Sequence, residues 1–272
     1  MKILFNPSFK SRNQSIRKAD DIQRTARNNF PYTSPTYCDA FYKTGKKWSP
    51  EVKDKFENVI KRSDKKITAL RDLAAEAAFE GITFDEKNLN APIFQTLRGI
   101  KLLKVANCHE CAALSIAALT ANGIYDLKRV NLQAEFQYVN KETGKVEYKA
   151  TEPIDHTTVI AKMGKDKKDE VVVDTWLGFA DDITGAKGRF KQILWESDIR
   201  EKARLHRSLF RVEKIEKDGI LIDPDKDYEL NTSIKFNEAE ETTQDDMRLI
   251  GYYAKCCYPE LIKKPQKTDA NN

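Results

Sequence analysis

The chain has 272 residues, 40% hydrophobic, 33% charged and 10% aromatic, a balance that suits a folded globular protein and excludes a disordered or fibrous one. Its 47 basic and 42 acidic residues leave a net charge of +5, but they are interspersed, so no basic stripe marks a nucleic-acid surface. The longest apolar stretch, residues 112–121, is broken by Ser115 and Thr120 and falls well short of the ~20 residues that span a bilayer.

The opening Met1-Lys2-Ile3-Leu4-Phe5-Asn6-Pro7 has too short an apolar run for a secretory signal peptide. Cys38, Cys108, Cys111, Cys256 and Cys257 are an odd number in a long chain, which points to free thiols in a reducing compartment rather than a disulfide framework. Residues 1–45 are rich in Asn, Ser, Lys and Arg, with Pro31 and Pro35 as breakers, and read as a loosely ordered or peripheral segment. Residues 46–264 then form the main domain, and 265–272 a flexible tail.

Ser49 caps a first helix with Pro50 at its first position, and Phe56, Val59 and Ile60 recur at helical spacing. A second helix runs from about Asp64, with Ile67, Leu70, Ala74 and Ala77 on one face and Gly81 as its stop. Pro92 opens a third, carrying Ile93, Phe94, Leu97, Ile100 and Leu103. Asn107 then caps a helix from Cys108 to Ala121, with Glu110 at the third position and Asn122-Gly123 as the stop.

After Gly123 the hydrophobic period falls to two, because Val130, Leu132, Ala134, Phe136 and Tyr138 alternate with polar neighbours. Residues 140–145 read as a turn and 146–150 as the return strand of a hairpin. A second hairpin follows from 156–163 and 170–176; with its turn centred near Lys165, His156 lies opposite Asp174. Beyond it, Phe190 and Leu194 read as helical, residues 209–212 and 220–222 as strand-like, and 245–254 as helical. The order predicts an α+β fold in which a helical N-terminal region and a central helix pack on an antiparallel sheet.

A thiol attacks as a thiolate, and a helix N-terminus stabilises that charge through its free N–H groups and dipole. Cys108 has this setting, and its backbone N–H suits the oxyanion formed on attack at a carbonyl. The thiol needs a base held by an acceptor. Of the three histidines, His109 points about 100° away from Cys108 on the same helix, and His206 lies in a Lys/Arg-rich stretch typical of a solvated helix. That leaves His156, with Asp174 on the neighbouring strand to hold its tautomer.

The segments Asn107-Cys108-His109-Glu110-Cys111-Ala112, Asp155-His156-Thr157-Thr158-Val159 and Val171-Val172-Val173-Asp174-Thr175-Trp176 resemble the Cys, His and Asp motifs of papain-like and transglutaminase-like cysteine enzymes, in particular those of bacterial type III or type IV secreted effectors. The chain departs from the common pattern at Ala106 and His109, where glycines are frequent, and at Thr175, where proline is. The resemblance implies a papain-like fold, a catalytic triad of Cys108, His156 and Asp174, no cofactor, and Trp176 packed over the triad. It also implies a protein substrate in a host cell, reached by secretion from the bacterial cytoplasm without a cleavable signal peptide.

Several readings stay open beside this one. Cys108 and Cys111 could be half of a zinc site or a redox pair, although Cys256 and Cys257 lack the usual ligand spacing. Cys111 could be the nucleophile or a resolving thiol, but one turn into the helix it reads as core. Glu110 matches the effector motif, yet its position suits a capping box. Gln95 is the one upstream glutamine near enough to serve as a second oxyanion donor, but it sits on a different helix. The acidic run 238–246 reads as a solvated segment, and it resembles the Glu-rich tract near the C-termini of some type IV effectors. Protease, glutamine deamidase and transglutaminase share the first half-reaction, so the sequence does not separate them. The rival of another class is a non-catalytic interaction module on the same fold.

Overall fold

A computed structural model describes residues 7–35, 49–79, 92–164, 169–219, 223–240 and 243–263. Cys38, Gly81, residues 220–222 and the tail 265–272 lie outside these, as do the side chains of Phe56 and Ala77. The fold is α+β. A five-stranded antiparallel sheet has the order β4-β3-β2-β1-β5, from β1 (Leu127–Asn140), β2 (Val146–Lys162), β3 (Glu170–Asp174), β4 (Phe179–Asp182) and β5 (Tyr228–Glu240). The chain divides into two compact units, one from Met1–Arg129, Thr158–Asp182 and Glu240–Asn272, the other from Val130–Thr157 and Ile183–Ala239.

In the first unit, Pro7–Asn29 is a helix, α1, whose Ala19, Ile22 and Ala26 are buried together with Phe30 just beyond it. The expectation of a loosely ordered or peripheral segment over 1–45 is therefore corrected for residues 7–35. The polar composition of α1 belongs to its outer face, while small and aliphatic residues at i, i+3 and i+7 make a narrow buried stripe.

The two helices expected over residues 49–81 are one, α2 (Pro50–Phe79). No proline or glycine follows Pro50 within it, so nothing breaks the backbone ladder at Asp64. Helix α3 (Pro92–Leu103) buries Phe94, Leu97 and Ile100, and crosses α2 closely at Gly99, where a Cβ would stand 2.7 Å from Leu70 Cγ. Lys104, with φ 57°, turns the chain out of α3.

Helix α4 (Cys108–Ala121) is apolar almost all round, which is the pattern of a helix buried on every side. It packs on α1, α3, β3 and α7 (Gln244–Cys257). A Cβ on Gly251 of α7 would lie 2.6 Å from the Thr120 carbonyl oxygen, so only glycine permits this approach. The core here joins Leu97, Ile100, Leu114, Leu119, Val159 and Val173, all at 1% exposure or less, to buried Phe30 and Phe94.

In the second unit the alternation of β1 appears as expected, with Val130, Leu132, Ala134, Phe136 and Tyr138 all buried. The strands expected at 146–150 and 156–163 are a single strand, β2, running through exposed Pro153. Strand β3 is in register with β2 over Val159–Lys162, which leaves Pro153 outside that stretch. Helices α5 (Ile183–Leu194) and α6 (Arg200–Asp218) follow, joined by a π turn at Trp195–Ile199.

Residues 209–212, expected as a strand, lie inside α6, where Ala203, His206 and Phe210 at i, i+3 and i+7 form the buried face. His206 is correspondingly buried rather than solvated: its Nε2 meets Glu152 Oε1 at 2.8 Å and its ring lies 5.0 Å from that of Phe136. Stacked rings of Tyr138 and Phe210, 4.5 Å apart, and Tyr228 edge-on to Phe210 make this unit's aromatic cluster.

Candidate active site

Cys108 is the first residue of α4 and is partly exposed. The first intrahelical bond runs from the Cys111 N–H to the Asn107 carbonyl at 2.9 Å, so the N–H groups ahead of it have no acceptor within the helix. The chain leading to this point is held by the segment before Pro35. The Thr33 N–H donates to Lys104 O at 2.9 Å, the Ala106 N–H donates to Thr33 O at 3.2 Å, and Thr33 and Val105 form a parallel bridge.

Asn107 is fixed from both sides. Its N–H donates to Glu110 Oε2 at 2.9 Å, the reciprocal half of a capping box, and its Oδ1 accepts from Ser34 Oγ at 2.8 Å. Glu110 is fully buried and also accepts from Arg71 Nε at 2.8 Å. Burial alone would raise the Glu110 carboxyl, but the bonds from Arg71 and the Asn107 N–H, with the Arg71 charge, hold it below its ordinary value.

Ser34 in turn accepts from Trp176 Nε1 at 2.7 Å. A chain of hydrogen bonds thus runs from Trp176 through Ser34 to Asn107, the residue before Cys108. Trp176 follows Asp174 by two residues in a turn closed by the Leu177 N–H on Asp174 Oδ1 and the Gly178 N–H on Asp174 O, both at 2.8 Å. Gly178 has φ 77°, which suits glycine in this turn. Thr175 closes the floor: its Oγ1 shares a 2.6 Å hydrogen bond with Ser115 Oγ of α4, and its carbonyl accepts from the Tyr32 hydroxyl at 2.7 Å.

Cys111 faces inward at 1% exposure. Burial pushes its thiol well up, its contact with the Tyr32 hydroxyl offsets part of this, and the Asp174 charge adds to the rise. Tyr32 is itself pushed up by burial and by its neighbours Cys111 and Asp174. The buried Asp174 therefore stands close to Cys111 and Tyr32 in the floor beneath the helix start. A thiol so disfavoured as a thiolate is unfit as a nucleophile, which separates Cys111 from Cys108.

Cys108 and Asp174 belong to the first unit, whereas His156 belongs to the second. His156 is 2% exposed, and its ring lies 5.2 Å from that of Phe190 on α5. The expected register of the second hairpin is corrected by two residues: Val159 faces Val173, and continuing the ladder sets Thr158, not His156, level with Asp174. The Thr158 hydroxyl accordingly donates to Val173 O at 3.0 Å. A slip of two leaves every side chain on its expected face, which is why alternation alone does not reveal it.

His109 is exposed, and a ring nitrogen meets the Arg129 guanidinium. Gln95 is on α3, as expected. Among the described residues no group of three or more His, Cys, Asp or Glu side chains could hold a metal ion, and no helix is long and apolar enough to cross a membrane. Tyr32, Ser34 and Arg71 are the site residues hidden from the sequence reading. The signal available for the first two was Pro31 and Pro35, which stiffen an extended chain as readily as they break a helix. No protein-family model, curated protein or solved structure matches this chain.

Proposed function

We propose that the chain is a cysteine-nucleophile acyl-transfer enzyme of papain-like or transglutaminase-like kind, with Cys108 as nucleophile, His156 as base and Asp174 as the group that orients it. The Cys108 thiol gives its proton to His156, and sulfur forms a bond to the substrate's carbonyl carbon. The oxyanion accepts a hydrogen bond from the Cys108 N–H, its electron pair re-forms the carbonyl as the C–N bond breaks, and the leaving nitrogen takes the proton from His156. The thioester then passes to water, releasing Cys108 and a carboxylic acid, or to an amine, forming a new amide.

The observation that carries this reading is the placement of Cys108 at the start of a helix whose N-cap is locked by Ser34, Trp176 and Glu110. A helix N-terminus favours an anion and carries backbone N–H groups without helical acceptors. The identity of the substrate as a protein, and the role as an effector in a host cell, rest on the sequence resemblance.

An unstructured protein such as casein tests the reading, with new N-termini, released ammonia and incorporation of a fluorescent amine separating protease, deamidase and transglutaminase. Wild-type protein is expected to form one of these products and Cys108→Ala none, at unchanged thermal stability. Equal product from Cys108→Ala would overturn the assignment.

A further inference from the structure

The second unit holds a recess of about 540 Å³, within the range of small-ligand sites, whose walls include Gln133, Ile154, Asp155, His156, Asp198 and Lys202. Its polar groups do not balance among themselves. Asp198 Oδ1 takes Lys202 Nζ at 3.3 Å, and the same ammonium is also bound to the Pro153 carbonyl. Asp198 Oδ2, by contrast, is a buried atom that accepts from no donor among the described residues, on a side chain that is 28% exposed overall. Asp155 is exposed in the same wall, and among the described residues no ion pair or hydrogen bond reaches it.

Two carboxylates thus stand against one ammonium that is already engaged twice. A buried acceptor without a donor is rare in native structures and calls for a water, an ion or a ligand group to satisfy it. The donor wanted here is positively charged, because a second carboxylate shares the wall. Leu132, Pro153 and buried Ile154 supply apolar surface beside these acceptors. A long methylene stem ending in a cation matches both demands.

We propose that this recess binds a cationic side chain, lysine or arginine, of the protein substrate, with Asp198 Oδ2 as its buried acceptor and Asp155 as a second counter-charge. The attribution to a protein substrate rests on the acyl-transfer reading, but the binding itself requires nothing of Cys108. Because His156 lines the same recess, a cation held there lies next to the proposed base.

The test is titration of the full-length Cys108→Ala protein with the Nα-acetyl N-methylamides of lysine, arginine and norleucine, followed by NMR. Lysine and arginine compounds are expected to bind saturably, with norleucine at least about tenfold weaker and the cation affinity falling with salt. Asp198→Asn is expected to lower the lysine affinity about tenfold and exposed Asp155→Asn by less. Should Asp198→Asn fail to fold, Asp155→Asn alone carries the comparison. Absence of saturable binding, equal binding of norleucine, or affinity unmoved in the folded variants would overturn the proposal. Amine binding in a protein without acyl-transfer activity would sink the proposed function and leave this site standing; activity with no amine binding would do the reverse.

Discussion

The two units are built from different materials. The first surrounds α4 with aliphatic side chains backed by the rings of Phe30, Phe94, Tyr253 and Tyr258, and buried Glu110, Ser115, Asp174 and Thr175 are tied to named partners around the start of that helix. The second stacks Tyr138, Phe210 and Tyr228 and sets glutamates against lysines: Glu135 with Lys149 and Lys235, and Glu147 with Lys214. Close aliphatic packing fixes a backbone position firmly, and a thiol at a helix start needs that. Aromatic rings and ion pairs along β1, β2 and β5 stand beside a polar recess, and a surface that reads side chains needs that instead. On the proposed function, the first unit would position the thiol and the second would recognise the substrate.

The largest effects should come from the two cores. Phe210→Ala removes a ring from the aromatic cluster and should cost about 4 kcal/mol in urea unfolding, with Leu114→Ala in α4 costing about 3 kcal/mol. Hydrogen exchange should show the first change opening β1 and α6 and the second opening α4; the same pattern from both variants would erase the distinction drawn here.

Glu110→Ala removes a buried acceptor from Arg71 and from the Asn107 N–H, and should cost about 2 kcal/mol. Its pH dependence has a definite sign. The carboxyls of Glu110, Glu135 and Glu147 are all held below their ordinary value near 4.5 in the folded chain, so their contribution is complete above that value and lost as pH falls through the lower folded values. Acid unfolding should therefore set in below about pH 4.5. A Glu110→Gln protein whose acid transition matches the wild type would contradict the role of Glu110.

Ser34→Ala is expected to be the mildest, at about 1 kcal/mol, because it removes one link between Trp176 and Asn107 without emptying the core. On the proposed function it should reduce acyl transfer more than its stability loss explains, a split that activity and melting temperature resolve together.

The regions differ also in how they show in the sequence. Helix α4 was legible in full, from the Asn107 cap and Glu110 to the Asn122-Gly123 stop, because capping signals are local. Strand β1 was legible through its alternation. Helix α1 was not, since Ala19, Ile22 and Ala26 are too few to outweigh the charges around them. Strand β5 carries a period-two signal in Tyr228, Leu230, Thr232 and Ile234 that the polar residues between them dilute, and β4 is too short to have one. At the site, Cys108 and Glu110 were visible because the helix start defines them. Tyr32, Ser34 and Arg71 arrive from distant segments, and no single stretch encodes a contact across 39, 73 or 143 residues.

The central claim is that Cys108, not merely a cysteine of this chain, is an activated thiol. It is tested most directly by the rate of iodoacetamide alkylation at neutral pH, read for each cysteine by peptide mass spectrometry in native protein. Cys108 should react at least about tenfold faster than exposed Cys256 and buried Cys111 slowest of all, with the lead of Cys108 lost in His156→Ala. A Cys108 that reacts no faster than Cys256 would contradict the account.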